Sequence, residues 1–264
     1  MTTAPTLTPS RTAALRAGQI VAVASGKGGV GKTWFAITLA HALARRGRHV
    51  LLFDGDLGLA NVDIQLGLLP AHDIASVVAG QRSLAAAVQH HQGGFDILAG
   101  RSGSGVLAAL DPAALDGVLA ALRDAAGAYD HVVLDLGAGI ERTTRRMSGF
   151  ADLLLVLATE EPTSLTDAYA VLKLHHADRG ADGASAEARI VVNQASTMAA
   201  GARTYATLAR ACAAFLGHTP KLAGIIRRDD RVRDAIRRQT LLLLRHPNTS
   251  AAVDVELLAD GVAG

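Results

Sequence analysis

Short runs of consecutive apolar residues alternate along the chain with longer stretches whose apolar positions recur at helical spacing. The runs cover residues 20–24, 50–53, 95–98, 131–134, 153–158, 190–192 and 222–226. Each is largely apolar rather than apolar only at every second position, the pattern of strands covered on both faces. Residues 34–46, 112–125, 165–176 and 203–216 predict helices between them. Strand and helix in succession predict βαβ units with right-handed crossovers, hence an α/β fold with a doubly wound, mostly parallel sheet and helices on both faces. Residues 1–17 are polar and Thr/Ala-rich and read as an N-terminal tail or short helix. Residues 18–264 hold no repeat, linker or low-complexity block and read as a single domain.

Composition narrows the class. Half of the chain is hydrophobic, enough for a buried core. No apolar run reaches the roughly 18 residues of a membrane span, and the first twenty residues lack the apolar stretch of a secretory signal, so a soluble cytoplasmic protein is expected. The one cysteine, Cys212, excludes a disulfide framework and any cluster of thiolates within the chain. A net charge of +2 is too small to argue for nucleic acid by bulk electrostatics. Basic residues are nearly all arginine; the lysines are Lys27, Lys32, Lys173 and Lys221, and the first two share one loop.

That loop carries the clearest chemistry. The strand at 20–24 runs into Gly26-x-x-x-x-Gly31-Lys32-Thr33 and then a helix, the context a P-loop requires. Glycines let successive backbone N–H groups turn inward around a phosphate, and the helix adds its positive end. Gly28, Gly29, Val30, Gly31, Lys32, Thr33 and Trp34 form the expected nucleotide-binding set. Lys32 would lie on the β- and γ-phosphates of ATP, and the Thr33 hydroxyl would ligate Mg²⁺. After the second strand, Asp54 and Asp56 stand two residues apart at a strand's C-terminal end, where such sheets bind ligands. The apolar run at 131–134 ends in Asp135, a Walker B form, followed by Gly137 and Gly139.

Lys27-Gly-Gly-Val-Gly-Lys-Thr33 resembles the deviant P-loop of the MinD/ParA ATPase family. The resemblance implies that Lys27 reaches across an ATP-dependent homodimer to the partner's phosphates, coupling dimerisation to the γ-phosphate much as an arginine finger does. It makes Lys27, Lys32 and Asp56 the catalytic set, with Asp56 orienting or deprotonating the attacking water. Thr33, Asp54 and Asp135 become the metal set, Asp54 near the metal's water shell and Asp135 accepting from Thr33 or holding a magnesium-bound water. Gly137 and Gly139 match the second switch loop. Asn193 matches the residue whose amide reads the adenine edge. Residues 224–229 resemble the family's Gly-x-Ile-Pro-x-Asp purine loop, with Arg227 in place of proline. Adenine is favoured over guanine because no Asn-Lys-x-Asp box is present.

Within the family, iron–sulfur carriers need cysteine pairs, and the tyrosine kinases need a C-terminal tyrosine cluster where this chain has only Tyr129, Tyr169 and Tyr205. Residues 250–258 predict a short helix with Asp254 and Glu256, then Asp260, and no base, so membrane contact by this end is expected to be weak or indirect. The segments at 54–68, 135–140 and 161–170 resemble the FlhG/FleN branch. That resemblance implies a slowly hydrolysing dimerisation switch for flagellar number or placement. Its implied partners are the FlhF GTPase, a flagellar transcription activator or C-ring proteins, with recruitment to the cell pole. Of the branch's N-terminal Asp-Gln-Ala-x-x-Leu-Arg element, Leu15-Arg16 remains. Three alternatives stay open. Arg227, Arg228, Arg231, Arg233, Arg237 and Arg238 are a solvated face in an arginine-biased chain or a DNA-contacting patch like that of partition ATPases. The chain is also compatible with a MinD-like positioning role, or with an interaction protein that binds nucleotide without hydrolysing it.

Overall fold

The computed structural model describes residues 18–56, 58, 60–100, 111–182 and 187–263. The strands are β1 Gln19–Ser25, β2 Val50–Gly55, β3 Gln89–His91, β4 Phe95–Leu98, β5 His131–Ala138, β6 Leu153–Ala158, β7 Glu187–Ala195 and β8 Lys221–Arg227. The helices are α1 Lys32–Arg45, α2 Val62–Leu66, α3 Ile74–Val78, α4 Leu84–Ala87, α5 Pro112–Ala125, α6 Arg142–Phe150, α7 Pro162–Asp182, α8 Met198–Leu216, α9 Asp230–Arg237, α10 Leu242–Arg245 and α11 Ser250–Ala263. The N-terminal tail, with its Leu15-Arg16 remnant, and Leu57 and Leu59 lie outside the described residues.

One sheet takes all eight strands in the order β3-β4-β2-β5-β1-β6-β7-β8. Every pairing is parallel except β3 with β4. The apolar runs are continuous because both faces are covered: in β1, Ile20, Ala22 and Ala24 join the layer under α5 to α8, whereas Val21 and Val23 join the layer under α1 and α11. The chain leaves β1 for β2 on one side and returns from β5 to β6 on the other, so β1 is the point where strand order reverses. A crevice opens there at the strands' C-terminal ends, and the loop after β1 fills it. Among the described residues no helix is long and apolar enough to cross a membrane.

Three expectations are corrected. β3, Gln-His-His, is an edge strand too short and polar to register as an apolar run, and it runs antiparallel. α7 and α8 begin earlier than their apolar periodicity suggests, α8 at the Thr197 cap whose hydroxyl accepts from Ala200 N–H at 3.0 Å. α11 continues past Leu258 to Ala263, and its acids are each engaged by an arginine of the body. Asp254 is buried against Arg227, and Glu256 and Asp260 both bond to Arg46 at the end of α1. The helix is held to the body by its acidic residues as well as by its apolar ones.

Candidate functional site

The loop between β1 and α1 is built by glycines with separate tasks. Gly29 and Gly31 have φ of +82° and +88°, the left-handed region that side chains avoid. Gly26 is needed for a different reason: a Cβ there would lie 2.3 Å from the carbonyl oxygen of Asp167, so the loop rests directly on α7. At Gly28 and Gly29 a Cβ would meet nothing within 4 Å, leaving an open cradle over the N-terminus of α1. Ser25 Oγ closes the turn by donating to the Lys27 carbonyl at 2.9 Å. Backbone N–H groups and a helix terminus facing an open concavity suit a phosphate.

Parallel pairing of β2 and β5 sets Asp54 beside Asp135, both fully buried. Lys32, also buried, donates from Nζ to Asp135 Oδ1 at 2.9 Å. Asp135 Oδ2 is buried without a hydrogen-bond partner among the described residues, the signature of a group reserved for a ligand, ion or water. Asp54 takes N–H groups from Asp56 at 3.2 Å and from Asn61 and Val62 at 3.0 Å, so it anchors the segment that carries Asp56 into α2. Burial first, then repulsion from Asp135, pushes the Asp54 carboxyl up to about 7, against the three N–H groups that pull it down. Burial also raises Asp135, with Lys32 and neighbouring Thr33 acting the other way. Two carboxylates that resist carrying both charges gain from a cation between them. Asp56 lies near the end of β5, its Oδ1 3.6 Å from where a Gly137 Cβ would stand. Among the described residues no three His, Cys, Asp or Glu side chains form a metal cage. Mg²⁺ does not require one, because it keeps waters and uses one or two carboxylates together with phosphate oxygens. Thr33, Asp54 and Asp135 with the open cradle fit a magnesium nucleotide.

The remaining residues read from sequence are placed less simply. Lys27 donates to Glu161 Oε2 at 2.7 Å and Thr163 Oγ1 at 3.1 Å, at the start of α7, and is 40% exposed. Asn193 donates one amide N–H to the Val30 carbonyl at 2.7 Å and so supports the phosphate loop. Arg227 turns away into a fork on Asp254, Nε to Oδ2 at 2.9 Å and Nη2 to Oδ1 at 2.8 Å, while its backbone N–H donates to the same Oδ2. Asn193 and Arg227 nevertheless border a cavity of about 240 Å³ with Gly29, Gly31 and Trp34, which Val232 and Ile236 also line. The sequence reading missed Glu161 and Thr163 as neighbours of Lys27, Asp167 beneath Gly26, and Gln194. Gln194 has φ +57° and lines the same cavity. Left-handed backbone is costly for a non-glycine residue, and side-chain identity alone does not announce it.

The model of the CobQ/CobB/MinD/ParA nucleotide-binding domain matches residues 21–242. The chain is 36% identical over 244 residues to the antiactivator FleN of Pseudomonas aeruginosa, covering 92% of this chain and 86% of that protein. It is 32% identical over 197 residues to the flagellum site-determining protein YlxH of Helicobacter pylori, covering 72% of this chain and 63% of that one. In structure it is similar to the cell division ATPase MinD of Pyrococcus furiosus, with a TM-score of 0.77, 24% identity and coverage of 93% and 98% of the two chains. The septum site-determining protein MinD of Pyrococcus horikoshii, complexed with Mg-ADP, gives a TM-score of 0.76 at 24% identity, over 93% and 96%.

Proposed function

This chain belongs to the CobQ/CobB/MinD/ParA nucleotide-binding family, in the branch of the antiactivator FleN, and we propose that it is an ATP-dependent dimerisation switch controlling flagellar number or placement. The observation that carries this reading is the buried group at the strand ends: Lys32, the orphaned oxygen of Asp135, and Asp54 beside it, under an open glycine cradle. Bound Mg²⁺-ATP supplies the γ-phosphate whose presence or loss sets the state of the switch. Gly28 to Thr33 hold the phosphates through backbone N–H groups, and Lys32 exchanges Asp135 for phosphate oxygens. Thr33 and Asp135 hold the cation, and Asp54 ties the first switch segment to it. Asp56 orients the attacking water from the rim of the same crevice. Lys27, exposed at the mouth, is free to leave Glu161 for a second copy's phosphates at the cost of one solvated ion pair. The flagellar assignment rests on the similarity to FleN and YlxH.

Sedimentation of the full chain with Mg²⁺-ATP tests the switch. Wild type should shift from monomer to dimer and Lys27→Ala should stay monomeric while still binding ADP. A wild type that stays monomeric at saturating ATP removes the proposal. A DNA-binding reading has one observation in its favour. Among the described residues Arg228, Arg231, Arg233 and Arg237 are exposed and form no ion pair, whereas Arg227 and Arg238 do. ATP-dependent retention of duplex DNA that weakens steeply between 50 and 200 mM salt would support it.

A further inference from the structure

The chain has one tryptophan, and it follows the phosphate-binding threonine directly. Trp34 is 6% exposed, and its indole Nε1 is buried without a hydrogen-bond partner among the described residues. A buried indole normally finds an acceptor, because the N–H is donor only and costly to leave unpaired. Trp34 also borders the 240 Å³ cavity beside Gly29 and Gly31. Lys32, Thr33 and Asp135, which handle phosphate and cation, do not line that cavity. It therefore lies on the nucleoside side of the cradle. Of the other side-chain donors that line it, Asn193 gives an N–H to Val30 and the Arg227 guanidinium forks onto Asp254, whereas Arg228 and Arg233 are exposed to solvent, so Trp34 supplies the buried donor there that has no partner among the described residues. Val232 and Ile236 supply the apolar wall that a flat ring would need.

We infer that Trp34 is a nucleoside-recognition residue, its indole N–H donating to an acceptor on the base or ribose of the bound nucleotide. The inference rests on the reading of the crevice as a nucleotide site and adds to it a side chain outside the phosphate loop's own chemistry. If the indole were only core filling, a phenyl ring would serve equally well and nothing about ligand binding would depend on the N–H.

Calorimetric titration of the full chain and of Trp34→Phe with ADP and with inorganic tripolyphosphate separates the two. The phenyl ring keeps the aromatic packing and removes the donor. ADP affinity should fall at least about fivefold, the worth of one lost hydrogen bond in a closed site, and tripolyphosphate affinity should be unchanged. Unchanged ADP affinity overturns the inference, as does an equal loss for both probes. Should the variant melt before it can be titrated, the wild type decides: the lone tryptophan's emission should shift with ADP and stay constant with tripolyphosphate, and the same response to both overturns it. A wild type that binds neither probe overturns the nucleotide reading as well, whereas wild-type binding of ADP with an indifferent Trp34→Phe removes this inference alone.

Discussion

Gly26 and Gly28 stand two residues apart in one loop and are glycine for opposite reasons. A methyl group at Gly26 would be driven to 2.3 Å from the Asp167 backbone, which cannot yield as a flexible side chain would, whereas a methyl at Gly28 would point into open space. Gly26→Ala should therefore cost about 1–3 kcal/mol of stability by overpacking, visible as a lowered denaturant midpoint without ligand. Gly28→Ala should unfold like wild type yet lose ADP affinity, because its methyl occupies the phosphate cradle. Equal midpoints for both variants would dissolve the distinction. Lys27 gives a third contrast. Its partner Glu161 is 66% exposed and it is itself 40% exposed, and such pairs are worth about 0–1 kcal/mol. Glu161→Gln should leave the melting temperature within a degree or two of wild type, in keeping with a contact that parks the lysine without locking it.

At the scale of elements, the loop after β8 is held by α11. Asp254, buried, accepts from the Arg227 backbone N–H and from Nε and Nη2 along one edge of its guanidinium. Asp254→Asn keeps the shape and removes the charge; with Arg227 partly solvated, a loss of about 1–2 kcal/mol follows from weakening hydrogen bonds to a charged group. ADP should bind more weakly as well, because the loop lines the cavity, and Arg227→Lys should not substitute, lacking the planar fork. Thermal melts and ADP titrations of both variants check this, and undiminished ADP binding would show that the loop is held by other means. None of this coupling was legible in the sequence, where Arg227 stood out only against the family's proline-bearing loop and Asp254 was one acid among several in the helix at 250–258. What was legible is local. Apolar runs buried on two faces announce seven of the eight strands, and the phosphate loop is written within one turn of chain. The antiparallel β3 has only Gln-His-His to announce it. α2, α3 and α4 are four or five residues long, below the length at which periodicity can be read, and depend on caps and packing. α6 reads as polar because its arginines reach sideways, Arg145 to Asp178 on α7 and Arg146 to Asp116 on α5.

Across the whole molecule, buried titratable groups pull stability in opposite directions over one pH range. His41 is pushed down from 6.5 to about 4, by burial first and then by Arg45. His91 and His131 are lowered too, chiefly by burial, then by His90 and Arg48 respectively. The unfolded chain takes up these protons near 6.5 and the folded one resists, so stability is complete above 6.5 and is lost as pH falls toward 4. For His41 alone the loss reaches about 3 kcal/mol. Asp54 has the reverse sign. Its folded carboxyl is pushed up to about 7 against an ordinary 3.8, so the folded chain binds that proton first and gains stability as pH falls from 7. The two contributions offset each other in the wild type between about 6.5 and 4, and single substitutions should expose them. His41→Leu should lose less stability than wild type on acidification, and Asp54→Asn should lose more, when unfolding free energies from urea titrations are compared at pH 7, 6 and 5. Three parallel pH curves would mean that neither group titrates as its surroundings dictate. Magnesium nucleotide should erase the Asp54 part, because a cation at the carboxylate pair keeps it ionised; with saturating Mg²⁺-ADP, wild type should then acquire the steeper acid loss of Asp54→Asn.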